Sequence, residues 1–241
     1  MTVEYREKAI SLIVGGDVNL GRILEAYAGE YASGKSENAV NRSLNLLQEG
    51  RKVRLVDLDI VEPFYTLRPL KKFLEQVGIN VLGWETVETI GLGEAGIPLK
   101  AEMTTAFNFK GDVIIDLGYG VNGRNILNLI TGSFQERREK IHLNLVINIT
   151  RPLTSSFSLL VSYITEFGEV DGLINNTHLG EETTIELIQE GAMLVTQVAR
   201  ELGIRVVATT VLRPYAEEIG EFDLMGNKVW PLDRYMPYAM W

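Results

Sequence analysis

The sequence contains no cysteine and only two histidines among its 241 residues. Without thiols the chain cannot form disulfides, cysteine-ligated zinc sites, iron–sulfur clusters or a cysteine nucleophile. Acidic residues outnumber basic ones, 32 to 23, and the net charge of −9 argues against a broad surface for nucleic acid or anionic membrane. We therefore expect neither nucleic acid nor a membrane among the partners.

Long apolar runs are missing as well. No stretch approaches the length of a membrane-spanning helix, and the charged start Met1–Lys8 is not followed by the apolar core of a signal peptide. Hydrophobic residues nevertheless make up 46% of the chain, which is enough for a sizeable core. These features predict a folded cytoplasmic protein with one large α/β domain or two small ones.

A phosphate-binding motif stands near the start of the chain, where Gly29–Ser36 (GEYASGKS) fits G-x-x-x-x-G-K-[ST]. The glycines let backbone N–H groups surround a phosphate chain, the lysine reaches the β- and γ-phosphates, and the hydroxyl binds Mg²⁺. The alternative is a glycine-containing turn before a surface helix. We predict nucleotide binding by the loop and the residue after it: Gly29, Glu30, Tyr31, Ala32, Ser33, Gly34, Lys35, Ser36 and Glu37.

Strands and helices alternate along the chain. Strands are predicted at Ile23–Ala28, Lys52–Asp57, Asn80–Gly83, Asp112–Asp116, Leu143–Ile147, Gly172–Ile174 and, last of the parallel strands, Arg205–Thr209. Helices are predicted between them, among others at Lys35–Gln48, Leu67–Val77, Thr154–Phe167 and Glu182–Leu202. Glu25 is unusual in a buried parallel strand, so a short helix is the alternative for Ile23–Ala28. The alternation predicts an α/β fold, a mostly parallel sheet with helices on both faces.

A single domain is the organisation that follows. We assign residues 1–22 to an N-terminal extension or edge strand, 23–213 to the nucleotide-binding domain, and 214–241 to an aromatic tail that packs on it. Gly15–Arg22 loosely matches the start of metal-dependent phosphoesterases, but their histidines are missing here, and an edge strand is favoured. The glycine-rich loop Trp84–Pro98 could cover a site.

Six polar side chains stand at or shortly after the ends of predicted strands: Lys35, Asp57, Asp59, Asp116, Asn148 and Asn176. Ligands bind beyond the carboxyl ends of parallel strands, so we expect one shared site there. Each has a simpler explanation, because the aspartates could cap the next segment or be solvated, and Asn176 could form a turn. His178 is expected at the surface rather than as a metal ligand.

The loop, Asp57-x-Asp59-x-x-x-Pro63 and Asp116-x-Gly118-x-Gly120 together resemble the P-loop NTPases of the MinD/ParA type, over about Ile23 to Thr210. The resemblance implies ATP and Mg²⁺ as cofactors. It assigns catalysis to Lys35, Asp59 and Asp116, and the metal site to Ser36, Asp57, Asp59 and Asp116. It also implies that Gly120 senses the γ-phosphate and that Asn176 reads the adenine edge.

Two positions depart from the pattern of that family. Relatives carry a second lysine after the first glycine, where this chain has Glu30, so a dimer with that lysine reaching the partner's phosphates is in doubt. A homodimer of another kind stays open. Glu30 would repel a γ-phosphate unless it is turned away or bridged by a metal. Ala32 stands where relatives often have glycine, so we expect the backbone there to avoid positive φ.

The function implied by the resemblance is a Mg²⁺-dependent ATPase that acts as a nucleotide switch or assembly factor for an unknown client. One alternative is an ATP-dependent small-molecule kinase or ligase of the dethiobiotin-synthetase kind, with a pocket near Thr86–Pro98, Arg124 or Arg151. Another is a nucleotide-binding module that barely hydrolyses. ATP is preferred over GTP because the Asn-Lys-x-Asp guanine motif is absent at Asn176.

Overall fold

The computed structural model describes residues 21–59, 67–83, 101–118, 120, 125, 127 and 141–236, the side chains of residues 101–104 excepted. The predictions for residues 1–20, Pro63, Trp84–Pro98 and Arg124 lie outside these residues.

Eight strands form one sheet in the described part of the chain. They are β1 (Leu24–Gly29), β2 (Val53–Leu58), β3 (Asn80–Leu82), β4 (Asp112–Leu117), β5 (His142–Ile147), β6 (Gly172–Asn175), β7 (Val206–Leu212) and β8 (Val229–Leu232). Their order is β3-β2-β4-β1-β5-β6-β7-β8, and all neighbouring pairs run parallel. The predicted α/β fold with a parallel sheet is confirmed.

The α-helices with described bounds are α1 (Lys35–Gln48), α2 (Lys71–Val77), α3 (Phe157–Phe167), α4 (Ile185–Leu202) and α5 (Arg213–Ile219). Short 3₁₀ segments lie at Arg68–Leu70, Ala101–Asn108, Pro152–Thr154 and Gly180–Glu182. The predicted α3 and α4 were too long at their starts. The reason is local: Ser156 and Thr184 cap these helices by accepting backbone N–H groups of the first turn.

The two larger apolar cores lie on the two faces of the sheet. Side chains alternate along each strand, so Ala26 and Ala28 pack in one core and Tyr27 in the other. The first core contains the buried faces of α3 and α4, and the second those of α1 and α2. This arrangement confirms helices on both faces of the sheet.

The sheet extends further than the sequence indicated. β8 pairs in parallel with β7, so the expectation that Arg205–Thr209 is the last parallel strand is wrong. Pro231 lies within β8 and cannot donate a ladder hydrogen bond. β8 is the last strand of the order among the described residues, and an edge strand tolerates proline. Part of the predicted tail therefore belongs to the sheet.

Glu25 lies in β1, which confirms the strand rather than the helix. Its carboxylate accepts hydrogen bonds from Arg42 Nε at 2.9 Å, Arg42 Nη2 at 3.0 Å and the Tyr27 hydroxyl at 2.8 Å. Arg42 comes from α1, which covers this face of the strand. A charged residue fits in the strand because the helix above it supplies the opposite charge.

A glycine brings α4 close to the end of β6. A Cβ atom at Gly191 would lie 2.2 Å from Thr177 Oγ1 and 2.6 Å from Asn175 Oδ1. These two atoms are already joined, since the Thr177 hydroxyl donates to Asn175 Oδ1 at 2.7 Å. The helix therefore packs directly on polar residues at the end of β6, Asn175 within the strand and Thr177 after it.

We expect Gly191→Ala to lower the free energy of unfolding by roughly 1–3 kcal/mol, because overpacking outweighs the better helix propensity of alanine. Urea denaturation measures the change. Glu190→Ala, at an exposed neighbouring position, is the control and should stay within about 0.5 kcal/mol of wild type. A Gly191→Ala protein as stable as wild type would contradict the close contact.

Candidate functional site

The predicted phosphate loop connects β1 to α1 and turns tightly. The Ser33 N–H donates to the Glu30 carbonyl at 3.1 Å, and Gly34 has a φ of 86°. Ala32 has a φ of 53°, so the expectation that it avoids positive φ is wrong. The turn needs this conformation, and the left-handed region is costly but not forbidden for alanine.

Both loop glycines stand against neighbouring strand ends. A Cβ at Gly29 would meet the Val146 carbonyl oxygen at 2.6 Å, and one at Gly34 would meet Asn176 Nδ2 at 2.1 Å. The Asn176 amide donates to the Ser33 carbonyl at 2.8 Å and accepts from the Thr210 hydroxyl at 2.9 Å. The loop is thus fastened to the ends of β6 and β7.

Asn176 was predicted either to read a base or to form a turn. The structure gives its side chain a third role, because its oxygen and its amide both hold the loop in place. Asn148 joins the segments that follow β5 and β6: its amide donates to the His178 carbonyl at 3.1 Å, and its Oδ1 accepts from the Thr150 hydroxyl at 2.9 Å. Base reading by Asn176 stays a prediction.

A buried cluster of charges lies beside the loop. Lys35 Nζ is 3.2 Å from Asp59 Oδ2, and the two side chains are 9% and 4% exposed. Asp57 and Asp116 are aligned partners on β2 and β4, and both act electrostatically on Lys35. The strand ends therefore bring Lys35 and the three aspartates together, as the sequence predicted.

Burial and the mutual charges of the cluster shift the pKa values of its members. Burial and then the charge of Asp59 raise the pKa of Asp57 to about 7. Burial raises the pKa of Asp116 well above its usual value, although Lys35 acts the other way. Burial alone would lower the pKa of Lys35, but Asp59, Asp116 and Asp57 outweigh it and raise that pKa. Lys35 is therefore held in its charged form.

Arg68 is a residue that the sequence reasoning missed. It is 7% exposed, its Nη2 donates to the Asp59 carbonyl at 3.3 Å, and its charge lowers the pKa of Asp57. It is the first residue of the 3₁₀ segment before α2 and belongs to no recognisable sequence motif. Only the folded chain shows that a second cation supports the cluster.

The oxygen atoms of this cluster suit Mg²⁺. Both carboxylate oxygens of Asp116 are buried without a hydrogen-bond partner, and Ser36 at the start of α1 lies close enough to lower its pKa. Among the described residues, no group of three or more His, Asp or Glu side chains is placed to hold a metal alone. Mg²⁺ commonly uses one or two protein oxygens plus water and phosphate, so the donor set fits such a shared site.

Glu30 is turned away from the mouth of the loop. Its carboxylate accepts from the Leu153 N–H at 3.3 Å and from the Thr154 hydroxyl at 3.4 Å, in the 3₁₀ segment after β5. Burial raises its pKa, and these hydrogen bonds and Arg151 act in the opposite direction. The orientation removes the repulsion that the sequence suggested. Tyr31, the next residue, is 41% exposed.

A cavity of about 180 Å³ opens beside the loop, beyond the ends of β6, β7 and β8. Its lining includes Glu37, Asn176, Thr177, His178, Thr210, Leu212, Tyr215, Leu232 and Arg234. His178 is half-buried here, so the expected surface position is wrong. Two lining residues connect the cavity to the loop: Glu37 is the residue after the loop, and Asn176 donates to the Ser33 carbonyl within it.

Gly120 follows β4 with a φ of 65°, a conformation that suits glycine. Its predicted role as a γ-phosphate sensor stays a prediction.

No family model and no curated protein sequence matches the chain. Solved structures do. Cell division protein FtsY from Thermotoga maritima shares 19% identity, with a TM-score of 0.54 over 86% of this chain and 69% of that one. Signal recognition particle receptor FtsY from Elizabethkingia anophelis shares 15%, with a TM-score of 0.53 over 85% and 64%. This chain has the P-loop NTPase fold.

FlhF complexed with GTP and Mg²⁺ is a third similar structure, at 14% identity and a TM-score of 0.51, covering 78% of this chain and 65% of that one. The chain thus spans less than two thirds of the second and third of these proteins. These identities establish the fold alone, and the narrower MinD/ParA type stays a prediction. In the described residues, no helix has the length and hydrophobicity to cross a membrane.

We expect Ala32→Gly to raise the free energy of unfolding by up to about 1 kcal/mol, because relief at positive φ outweighs the entropy that glycine adds to the unfolded chain. Thermal unfolding measures this change. Ala39→Gly, inside α1, is the contrast and should destabilise by about 1 kcal/mol or more. Equal losses in the two variants would contradict the loop conformation.

His178 should make stability depend on pH. Burial, then Arg151 and Arg234, lower its pKa to about 4, so the unfolded chain binds this proton more tightly than the folded one. As the pH falls from about 6.5 towards 4, wild type should lose on the order of 2 kcal/mol more than His178→Gln. Asp57 and Glu37 act with the opposite sign, so the comparison is between variants.

The measurement is urea denaturation across this pH range. His142→Gln, at the exposed start of β5, replaces the other histidine and is the control, whose curve should follow wild type. Parallel curves for His178→Gln and wild type would contradict the burial of His178.

Proposed function

We propose that this chain binds ATP with Mg²⁺ and hydrolyses it, acting as a nucleotide switch. The observation that carries the proposal is the buried Lys35, held by Asp59 beside a glycine-lined loop at the carboxyl ends of β1, β2 and β4. Structural ion pairs are usually exposed, and a buried lysine among three aspartates next to an anion-binding turn favours a reactive site.

The loop would hold the phosphates through backbone N–H groups at the positive end of α1. Lys35 would stabilise charge on the transferring phosphoryl group, as a preorganised cation in a site that excludes water. Ser36, Asp57, Asp59 and Asp116 would hold Mg²⁺, directly or through water. The metal would supply positive charge against the phosphate oxygens.

A switch follows from the pairing of Lys35 with Asp59. A γ-phosphate would compete with Asp59 for the same ammonium group, and so would favour another position of the Asp59 side chain. Loss of that phosphate would restore the ion pair. Switch segments of nucleotide-binding proteins are generally ordered and released in this way.

The cavity beside Glu37 and Asn176 is the proposed base pocket. Its 180 Å³ lies below the roughly 300–1,000 Å³ of pockets that enclose a whole drug-sized ligand, so it suits one part of a nucleotide. Leu179 stands three residues after Asn176, where the guanine motif has an aspartate, which favours ATP. FlhF carries GTP in the similar structure, so both nucleotides belong in the test.

We expect Lys35→Ala to weaken Mg²⁺-dependent ATP binding by about 2 kcal/mol or more, because a charge-assisted contact to phosphate is lost. Calorimetry with ATP and GTP measures it, after circular dichroism has shown that the variant is folded. Lys110→Ala, at an exposed lysine, is the control and should bind like wild type. A wild type that binds neither nucleotide would refute the proposal.

Asp116→Asn should change stability and activity in opposite directions. Because burial disfavours the charged form of Asp116, a neutral amide there should raise the free energy of unfolding by roughly 0.5–2 kcal/mol. Mg²⁺-dependent hydrolysis should fall roughly 10–100-fold. Denaturation and phosphate release measure the two effects.

Asp112→Asn is the matched control at the other end of β4. Its carboxylate is already satisfied by Arg51 and accepts from the Ile23 N–H at 2.9 Å, so the variant should lose stability and keep its activity. If Asp116→Asn hydrolyses ATP at the wild-type rate, Asp116 has no role in the reaction.

A further inference from the structure

The segment after β8 lies along α1. We call Asp233–Met236 the strap. The Asn41 amide of α1 donates to the Asp233 carbonyl at 2.9 Å, and its Oδ1 accepts from the Asp233 N–H at 2.8 Å. A single side chain thus pairs with both backbone groups of one strap residue.

Glu37 holds the other end of the strap. Its carboxylate accepts from the Tyr235 N–H and, at 3.2 Å, from the Met236 N–H. Glu37 is 1% exposed and lies four residues before Asn41, so both anchors are on one face of α1. The helix that begins at the phosphate loop therefore carries the strap.

Side chains of the strap add further contacts. Asp233 pairs with Arg213 through two hydrogen bonds of 2.9 and 2.6 Å. The Tyr235 ring stacks on Phe73 at 5.9 Å between centroids, and Met236 is buried in the core that α1 covers. The strap is thus fixed on both sides of Arg234.

Arg234 is exposed, and it lines the cavity beside the loop. Its charge acts on both Glu37 and His178, which line the same cavity. The Arg234 side chain therefore lies at the exposed edge of this cavity, near Glu37 and His178. Of the strap residues, Arg234 lines the cavity. The residues on both sides of it are anchored on α1, the helix that begins at the phosphate loop.

We propose that the strap is a wall of the nucleotide pocket, with Arg234 contacting the purine base and Asn41 positioning it. The inference rests on the proposed function. A planar guanidinium stacks well on an aromatic ring and can donate hydrogen bonds to its edge. Asn41 acts through the strap and touches no ligand.

The test compares a nucleotide with its phosphates alone. Calorimetry in Mg²⁺ gives the affinities of ATP, GTP and inorganic tripolyphosphate for wild type, Arg234→Ala and Asn41→Ala. We expect both variants to bind ATP roughly 3- to 30-fold more weakly, in keeping with the loss of one cation–π contact. Their affinity for tripolyphosphate should stay within about twofold of wild type, because the phosphate loop is untouched.

Lys228→Ala is the matched control. Lys228 is an exposed cation directly before β8 and outside the lining of the cavity. Its variant should bind all three ligands like wild type. Arg234 is exposed, so Arg234→Ala keeps the test decisive even where Asn41→Ala folds poorly.

Three results would overturn the inference. If wild type binds ATP and Arg234→Ala binds it equally well, the strap is not a base wall, and the proposed function still stands. If Arg234→Ala and Asn41→Ala lose ATP and tripolyphosphate to the same extent, the strap supports the fold or the loop rather than the base. If wild type binds neither ATP, GTP nor tripolyphosphate, the proposed function itself fails.

Discussion

The site depends on one buried ammonium group and the carboxylates that keep it charged. Lys35 begins α1 after the loop that follows β1. Asp57 lies near the end of β2, Asp59 directly follows that strand, and Asp116 lies near the end of β4. They meet because β4 lies between β1 and β2, with Asp116 aligned to both Tyr27 and Asp57. Without Lys35 and Arg68 nearby, this concentration of negative charge in a buried place would favour protonation or unfolding. The strand order thus determines which charges lie close to Lys35.

Helix α1 connects the two halves of the candidate site. Its first turn carries Lys35 and Ser36, its next residue Glu37 borders the cavity, and Glu37 with Asn41 holds the strap. On the other side, Asn176 fastens the loop to β6. A displacement of this helix would therefore move the phosphate loop and the wall of the cavity together, which is the property that a nucleotide-dependent switch requires.

Features that depend on local sequence patterns were predicted correctly, whereas features that depend on long-range pairing were not. The phosphate loop and the strand-end aspartates were found because their spacing follows from backbone geometry within a few residues. Glu25 made the strand at Ile23–Ala28 doubtful, because its ion-pair partner Arg42 is 17 residues away in the sequence and is brought next to it only by folding. β8 was missed because Val229–Leu232 is short and contains Pro231. Ala32 was misjudged because its intrinsic preference was overridden by a turn whose ends are fixed by other strands.

The sequence by itself determined the class of fold, the loop, the residues that carry charge and the end of the sheet where they stand. These properties depend on periodicity and on steric rules that act over a few residues. Tertiary structure decided the strand order, the orientation of Glu30 away from the loop, the support from Arg68 and the placement of the strap. Each of these joins residues far apart in the chain, and such contacts exist only once the whole sheet has formed.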